Sequence, residues 1–407
     1  MSNVLAETKD LFTRNLRTSG IYIAFVAIVV LFTVLTDGLL LNPEIVTNLV
    51  LQNAHILIMA LGMIMIIVAG HIDLSVGSVL AFASAVSAVL VIRQGMPWWV
   101  GLLAAVLVGV LIGAWHGFWV AYVGIPAFIV TLAGMLLFRG LTLVVLQNVS
   151  LSPFPADYKT IATDFSRGLF GEIVVSQGEG LKAVPVTVDV FTLVIGVLAV
   201  GAFILSQVRS RRARVGYNQK VESNVLFILK LVVVAVVVMA FAWALAYNRG
   251  FPYVLIVLGV LVLVYQLVTN RTVFGRHVYA VGGNLAAAQL SGVNVARVNF
   301  WLFVHMGLLT GIAAAVFSGR SNGAQPNMGN SFELDVIAAC FIGGASTTGG
   351  IGRVTGALVG GLVMAVMSNG MSLMGVPQSL QPIVKGLVLL IAVAFDIYNK
   401  RRAGAAR

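Results

Sequence analysis

Residues 48–69 read NLVLQNAHILIMALGMIMIIVA, with no lysine, arginine, aspartate or glutamate among them. A hydrocarbon core of roughly 30 Å is crossed by about 20 mostly apolar residues wound as a helix. Backbone polar groups in such a core must be satisfied within the segment, so the run is read as a membrane-spanning helix. Comparable apolar runs fall at 21–36, 74–92, 98–120, 125–146, 188–208, 224–247, 252–268, 298–318, 354–374 and 381–398. A twelfth run, 334–345, is too brief for an ordinary span and reads as tilted, broken or re-entrant.

The composition agrees with that reading. Of 407 residues, 59% are hydrophobic and 10% charged, and the mean hydropathy is +1.01. Soluble domains carry about 25% charged residues. A soluble enzyme, a nucleic-acid binder and a disordered chain are therefore excluded. The fold class expected is all-α: a polytopic helical membrane protein of about 10–12 transmembrane helices. Forty-three glycines and 13 methionines suit helices packed closely in lipid. The single cysteine, Cys340, has no partner for an internal disulfide. The first run is read as a retained helix rather than a signal peptide. Glu7 and Asp10 sit among the bases before it, and no small-x-small cleavage site follows it.

The net charge of +11 reports orientation. With the N-terminus inside, sixteen basic residues fall in inner segments and six in outer ones, a positive-inside bias. Both termini lie inside only if 334–345 crosses the membrane. Residues 147–187 form the one long outer segment. Its Phe154, Tyr158, Phe165 and Phe170 suit a short amphipathic helix on the outer interface, or equally a partly ordered connector. The conspicuous inner loop, 269–297, is dense in small and polar residues.

Little conventional chemistry is written in the chain. The five histidines lack zinc-ligand spacing, and no phosphate-binding G-x-x-x-x-G-K-[ST] motif occurs. No catalytic residue, metal site or cofactor is expected. Arg139 and Lys385 lie toward the outer ends of their spans, where long stems snorkel to headgroups. His55 and His116 are placed near span ends as anchors, and His305 deeper, bonded to a neighbouring helix.

Polar breaks say more. Gly70-His71-Ile72-Asp73-Leu74-Ser75-Val76-Gly77-Ser78 follows the second span, and Asp73 and Ser75 suit the cap of the next helix. An ordinary capped hairpin is the plain alternative. In the other half, Glu333-Leu334-Asp335 opens the short run, which ends in Gly343-Gly344-Ala345-Ser346-Thr347-Thr348-Gly349-Gly350-Ile351-Gly352. The charge count puts Asp73 on the inner side and Asp335 on the outer side. Inverted-topology repeats give that opposition, and transporters place their paths at such interfaces. Asn53, Asp73, Ser75, Gly77, Glu333, Asp335, Gly343 and Ser346 are the candidates for lining a path.

These stretches resemble a known family. Residues 70–78 are similar to the G-x-I-D-L-S-V-G-S signature of ribose/xylose-type ABC sugar permeases. Residues 282–293, GGNLAAAQLSGV, resemble that family's cytoplasmic G-G-N-x-x-A-A-R-L-S-G-I loop, and 333–352 its third signature. The match covers roughly 48–147 and 269–397, and 188–247 looks like the transmembrane hairpin inserted in xylose-type and multiple-monosaccharide permeases. The resemblance implies the permease subunit of an ATP-driven importer in the bacterial inner membrane. Two copies would surround one path, an ATP-binding protein would dock inside, and a periplasmic sugar-binding protein outside. It also implies a coupling helix at Gly283, Asn284, Ala286, Ala287, Gln289, Leu290, Ser291 and Gly292. Gln289 departs from the family's usual arginine, which puts a salt bridge to the ATPase there in doubt. The rivals are an ion-coupled secondary sugar symporter and a passive channel or scaffold.

Overall fold

A computed structural model of the protein describes residues 16–176, 186–219, 221 and 223–405. Glu7, Lys9, Asp10, Arg14, Lys182, Lys220 and Arg407, which entered the charge count or the signal-peptide argument, lie outside the described residues. Among the described residues, fifteen α-helices run in chain order. They are α1 (Leu16–Leu35), α2 (Pro43–Val68), α3 (Val76–Ala88), α4 (Trp98–Phe118), α5 (Ala127–Leu146), α6 (Ala156–Thr163), α7 (Val190–Gly216) and α8 (Asn224–Asn248). Then come α9 (Tyr253–Arg271), α10 (Val273–Gly283), α11 (Leu285–Leu290), α12 (Val295–Ser321), α13 (Phe332–Ile342), α14 (Val354–Leu373) and α15 (Gln381–Ala405). Both α3 and α4 finish in a π-helical turn, Val89–Arg93 and Trp119–Val123, and a proline, Pro97 or Pro126, caps the helix that follows.

Among the described residues, nine helices are long and apolar enough to cross a membrane, and shorter apolar windows lie at Ala24–Leu35 and Gln381–Ile391. The protein is a polytopic helical membrane protein. The twelfth run is a helix of 11 residues, Phe332–Ile342. It is about 16 Å long, roughly half the hydrocarbon thickness.

The chain forms two compact bodies. One contains the chain up to Leu40, Leu49–Thr163 and Val254–Arg407; the other contains Leu41–Asn48 and Asp164–Tyr253. Within the first body α2 is central: 89% of its most apolar window is buried. One close helix crossing joins α4 to α12. Gly109 and Gly113 on one helix meet Phe303, Gly307 and Gly311 on the other, backbone to backbone. A side chain at Gly307 would overlap the Gly109 carbonyl, so this approach requires glycine on both helices. Threonines inside the spans satisfy their hydroxyls on their own helix, as Thr131, Thr142 and Thr310 do four residues back.

In the segment 147–187, the described residues do not form an amphipathic helix lying on an interface. Helix α6 is only 8 residues long, and its Tyr158 is wholly buried rather than lying on an interface. Tyr158 Oη pairs with Ser87 Oγ at 2.8 Å and Ser318 Oγ at 3.0 Å, and Phe154 stacks flat on the ring at 3.8 Å. Burial raises the Tyr158 pKa, so the hydroxyl remains a donor at any ordinary pH. Phe165 and Phe170 lie beyond the helix.

In the second body an antiparallel hairpin pairs β1 (Glu172–Ser176) with β2 (Val186–Asp189), Glu172 opposite Asp189. Asp189 then caps α7: one carboxylate oxygen accepts from Thr192 N at 2.9 Å, the other from Gly168 N at 2.9 Å. Helices α7 and α8 pack antiparallel, with Gly196 against Ala242 and Met239.

Candidate functional site

Two places in the first body gather the residues singled out from sequence. The first is where the broken segments meet. Asp73 is buried and accepts from Ser75 N at 2.8 Å and Ser75 Oγ at 2.6 Å, so it shapes the turn that starts α3. His71 Nε2 pairs with Asn299 Oδ1 at 3.2 Å, near the start of α12. The other segment, 322–331, leaves the opposite end of α12, 23 residues beyond Asn299 and roughly 34 Å away along the helix. From these opposite ends the two segments converge. Gly77 lies against the Gly329 carbonyl and Glu333 Oε2, with no room for a Cβ. The starts of α3 and α13 therefore meet.

Glu333 is the unusual member of this cluster. It is 9% exposed, and its Oε2 has no hydrogen-bond partner among the described residues. Arg139, Asp335 and Asp73 lie within electrostatic reach of it. Arg139 is half-buried and donates through Nη1 to the Met328 carbonyl, so it points into the protein instead of snorkelling. The carboxylate also faces the first turn of α3, whose helix dipole favours negative charge.

The remaining path candidates have other partners. Asp335 pairs with Lys385, Nζ standing 3.0 Å from each carboxylate oxygen, so that lysine too has a protein partner rather than a headgroup. Asn53 donates to the Leu49 carbonyl at 2.8 Å. Ser346 is buried in the glycine-rich loop and pairs with Thr348 Oγ1 at 2.9 Å, while Gly343 packs on Gly356. Asp73, Ser75, Gly77 and Glu333 are brought together, with Asp335 at their edge held by Lys385; Asn53, Gly343 and Ser346 are not among them. His55 and His116 are buried, not interfacial: His55 sits between Phe317 and Phe332, His116 beside Phe138 and Phe303. His305 does bond a neighbouring helix, with Nδ1 3.1 Å from Tyr265 Oη.

The second place is the small loop after α10. Asn284 caps α11 by accepting from Ala287 N at 3.0 Å, and Asn294 caps α12 by accepting from Arg297 N at 2.9 Å. Between them Gly292 takes φ +81°, a conformation glycine adopts without strain. Of the six residues of α11 only Ala288 is buried. Gly283, Asn284, Ala286, Ala287, Gln289, Ser291 and Gly292 are exposed, and Leu290 is 90% exposed.

The base of this loop is fastened to two other segments. Gly350 N donates to the Val68 carbonyl at 2.8 Å, and Tyr279 Oη donates to the Gly352 carbonyl at 2.7 Å. Gly282 sits so tightly against Val68 and Gly350 that a Cβ would overlap backbone atoms of both. The end of α2, the end of α10 and the loop before α14 thus form one junction. Sequence reading identified the glycines as motif members but missed Val68 and Tyr279. An apolar residue ending a span and a lone tyrosine carry no local signal of such a role.

The chain matches the family described as branched-chain amino acid transport system / permease component over residues 45–393. It is 38% identical over 389 residues to the xylose transport system permease protein of Escherichia coli (strain K12), covering 96% of this chain and 94% of that one. It is 37% identical over 388 residues to the protein of the same name from Haemophilus influenzae, covering 95% and 98%. The ribose import permease protein of Bacillus subtilis (strain 168) is 29% identical over 377 residues, covering 93% and 92%. No solved structure is a significant match. With nine helices among the described residues fit to span a bilayer and a family match over most of its length, the chain belongs to this family of transport-system permease components.

Proposed function

We propose that this chain is the membrane-spanning permease subunit of an ATP-driven monosaccharide importer of the xylose type, placed in the bacterial inner membrane with both termini inside. It works as a pair of copies around one path. A cytoplasmic ATP-binding protein grips the 283–293 loop, and a periplasmic binding protein delivers the sugar. The observation that carries this reading is α11 itself: a capped helix with Leu290 presented to the surroundings, fastened at its base to the helix that forms the core. The names and coverage of the relatives support the sugar class.

The mechanism follows from the junction. Closure of the ATP-binding partner displaces α11. Because Gly282 is wedged against Val68 and Gly350, the displacement passes to α2 and to the loop before α14 rather than dissipating in the connecting residues. Helix α2 runs into the first broken segment and the loop before α14 follows α13, whose start meets that segment at Asp73, Ser75, Gly77 and Glu333. The 188–247 hairpin is read as an inserted transmembrane hairpin. An ion-coupled symporter would need membrane-embedded acids or histidines to bind and release a coupling ion. Asp73 instead serves the α3 turn, Asp335 holds Lys385 and His305 pairs with Tyr265, which leaves Glu333 as the buried acid that such a reading would have to use.

The test is binding-protein-dependent sugar uptake with Gly292→Arg and Gly283→Arg. The Gly283 position is open around its Cβ direction and lacks the positive φ of Gly292, so its variant adds bulk without backbone strain. Both variants are expected to insert and remain folded while losing uptake and ATPase co-purification. Normal uptake by Gly283→Arg would refute the docking role.

A further inference from the structure

Helix α2 covers almost everything it carries. From Leu49 to Val68 every residue is buried except Gln52, which is exposed, and Asn53, which is half-buried. The two residues left uncovered are thus the two carboxamides of that stretch. Beside them, near the end of α14, Ser368 and Asn369 are half-buried and Ser372 is exposed. Asn369 Nδ2 donates to Gln52 Oε1 at 3.3 Å, a long hydrogen bond. Gln52 Nε2 and Asn369 Oδ1 bond nothing further among the described residues. Gln381, which opens α15, donates to Ser372 Oγ at 3.2 Å. None of these six residues is charged.

The packing of α14 on α2 fixes where this surface lies. Gly352 sits against Val68 and Ile64, Gly361 against Leu57, and Asn369 bonds Gln52, so the two segments run antiparallel. Val68 belongs to the junction at the base of the 283–293 loop. Gln52 stands 16 residues back from it, roughly 24 Å along α2. With that loop at the inner face, the carboxamide pair lies toward the outer one. Both residues belong to helices apolar enough to cross a membrane, where facing lipid would leave their amide groups without partners. A carboxamide both donates and accepts, as each hydroxyl of a sugar does. A surface of amides and hydroxyls without charge therefore matches a neutral polyhydroxylated solute rather than an ion.

We propose that Gln52 and Asn369 contact the monosaccharide in transit on the outer side of the path, exchanging their long mutual hydrogen bond for bonds to sugar hydroxyls. The proposal rests on the sugar-importer reading and names substrate contacts for it. Asn53, Ser368 and Ser372 extend the same hydrogen-bonding surface.

The test uses the complete transporter in proteoliposomes, with its ATP-binding and sugar-binding partners and D-xylose as the probe. Gln52→Leu and Asn369→Leu keep side-chain bulk and remove the hydrogen-bonding groups. Each is expected to lower the uptake rate about tenfold, while ATP hydrolysis evoked by the loaded binding protein persists. In a Cys340→Ser background, Gln52→Cys and Asn369→Cys should react with a charged, water-soluble methanethiosulfonate reagent. Saturating D-xylose, with binding protein and ATP, should slow that reaction. Wild-type uptake by both leucine variants, no thiol reaction, or a reaction that sugar leaves unchanged would each overturn the proposal. A disulfide joining two copies through Gln52→Cys would do so as well, by making this surface a contact between copies. If the wild-type transporter carried neither D-xylose nor D-ribose, the importer reading itself would fall, and this proposal with it.

Discussion

Helix α2 and helix α8 are both apolar enough to be read as spans from sequence, yet 89% of the α2 window is buried and only 6% of the α8 window. Helix α8 is the more hydropathic of the two. In lipid there is no gain from hiding an apolar side chain from its solvent, so hydropathy marks what may face the bilayer, not what forms the core. The core is marked instead by small residues that let backbones meet and by polar groups needing partners. The crossing of Gly109 and Gly113 with Gly307 and Gly311 belongs to the first body. Gly201 of α7 has open space around it.

The strongest challenge to this contrast is to put leucine at one glycine of each kind. Gly307→Leu forces a side chain into the Gly109 backbone and is expected to cost about 3 kcal/mol, enough to abolish folded protein in detergent. Gly201→Leu is expected to change thermal stability by less than about 0.5 kcal/mol. Equal effects would erase the distinction between the two regions. Lys385→Met comes next. It strips Asp335 of its cation at a half-buried site and should lower stability by about 2 kcal/mol, read as an earlier melting transition.

Tyr279→Phe removes one hydrogen bond at the loop junction, a loss of about 1 kcal/mol in stability. Its larger effect is expected in coupling: less sugar moved per ATP hydrolysed, with the complex still assembled. An unchanged ratio would mean that the junction transmits nothing. The smallest effect concerns the second body. Hydrogen bonds from Thr187 and then Arg167 hold the exposed Glu172 carboxyl below the usual carboxylate range. Its contribution is therefore present above the ordinary carboxylate pKa and fades as pH falls through the depressed value. Hydrogen exchange across 164–176 should quicken slightly on acidification, and Glu172→Gln should remove that pH dependence.

The spans were legible because each needs about 20 apolar residues whatever it packs against. The run 98–120 emerges as Trp98–Phe118 and the run 224–247 as Asn224–Asn248. The break at 70–78 and the short helix near 334–345 were legible for the same reason: polar and glycine residues interrupt an apolar run. What escaped was partnership across long separations. Lys385 finds Asp335, 50 residues away, and Arg139 finds the Met328 carbonyl, so neither behaves as the lone snorkelling cation its position suggested. His55 and His116 were placed at the interface by their position in the run, whereas aromatic neighbours from α12 and other helices enclose them. Of the candidate site, the loop glycines were visible as a motif. The meeting of Gly77 with Glu333 depends on two breaks about 250 residues apart folding back to the same depth.

The most direct test of the central claim uses the fact that Cys340 is the chain's only cysteine and is buried. In a Cys340→Ser background, Leu290→Cys places one accessible thiol on α11. A membrane-impermeant maleimide should label it in inside-out vesicles and not in right-side-out ones, and bound ATP-binding partner should block that labelling. Labelling from the outer face, or labelling that the partner leaves unchanged, would contradict a cytoplasmic motor gripping this helix.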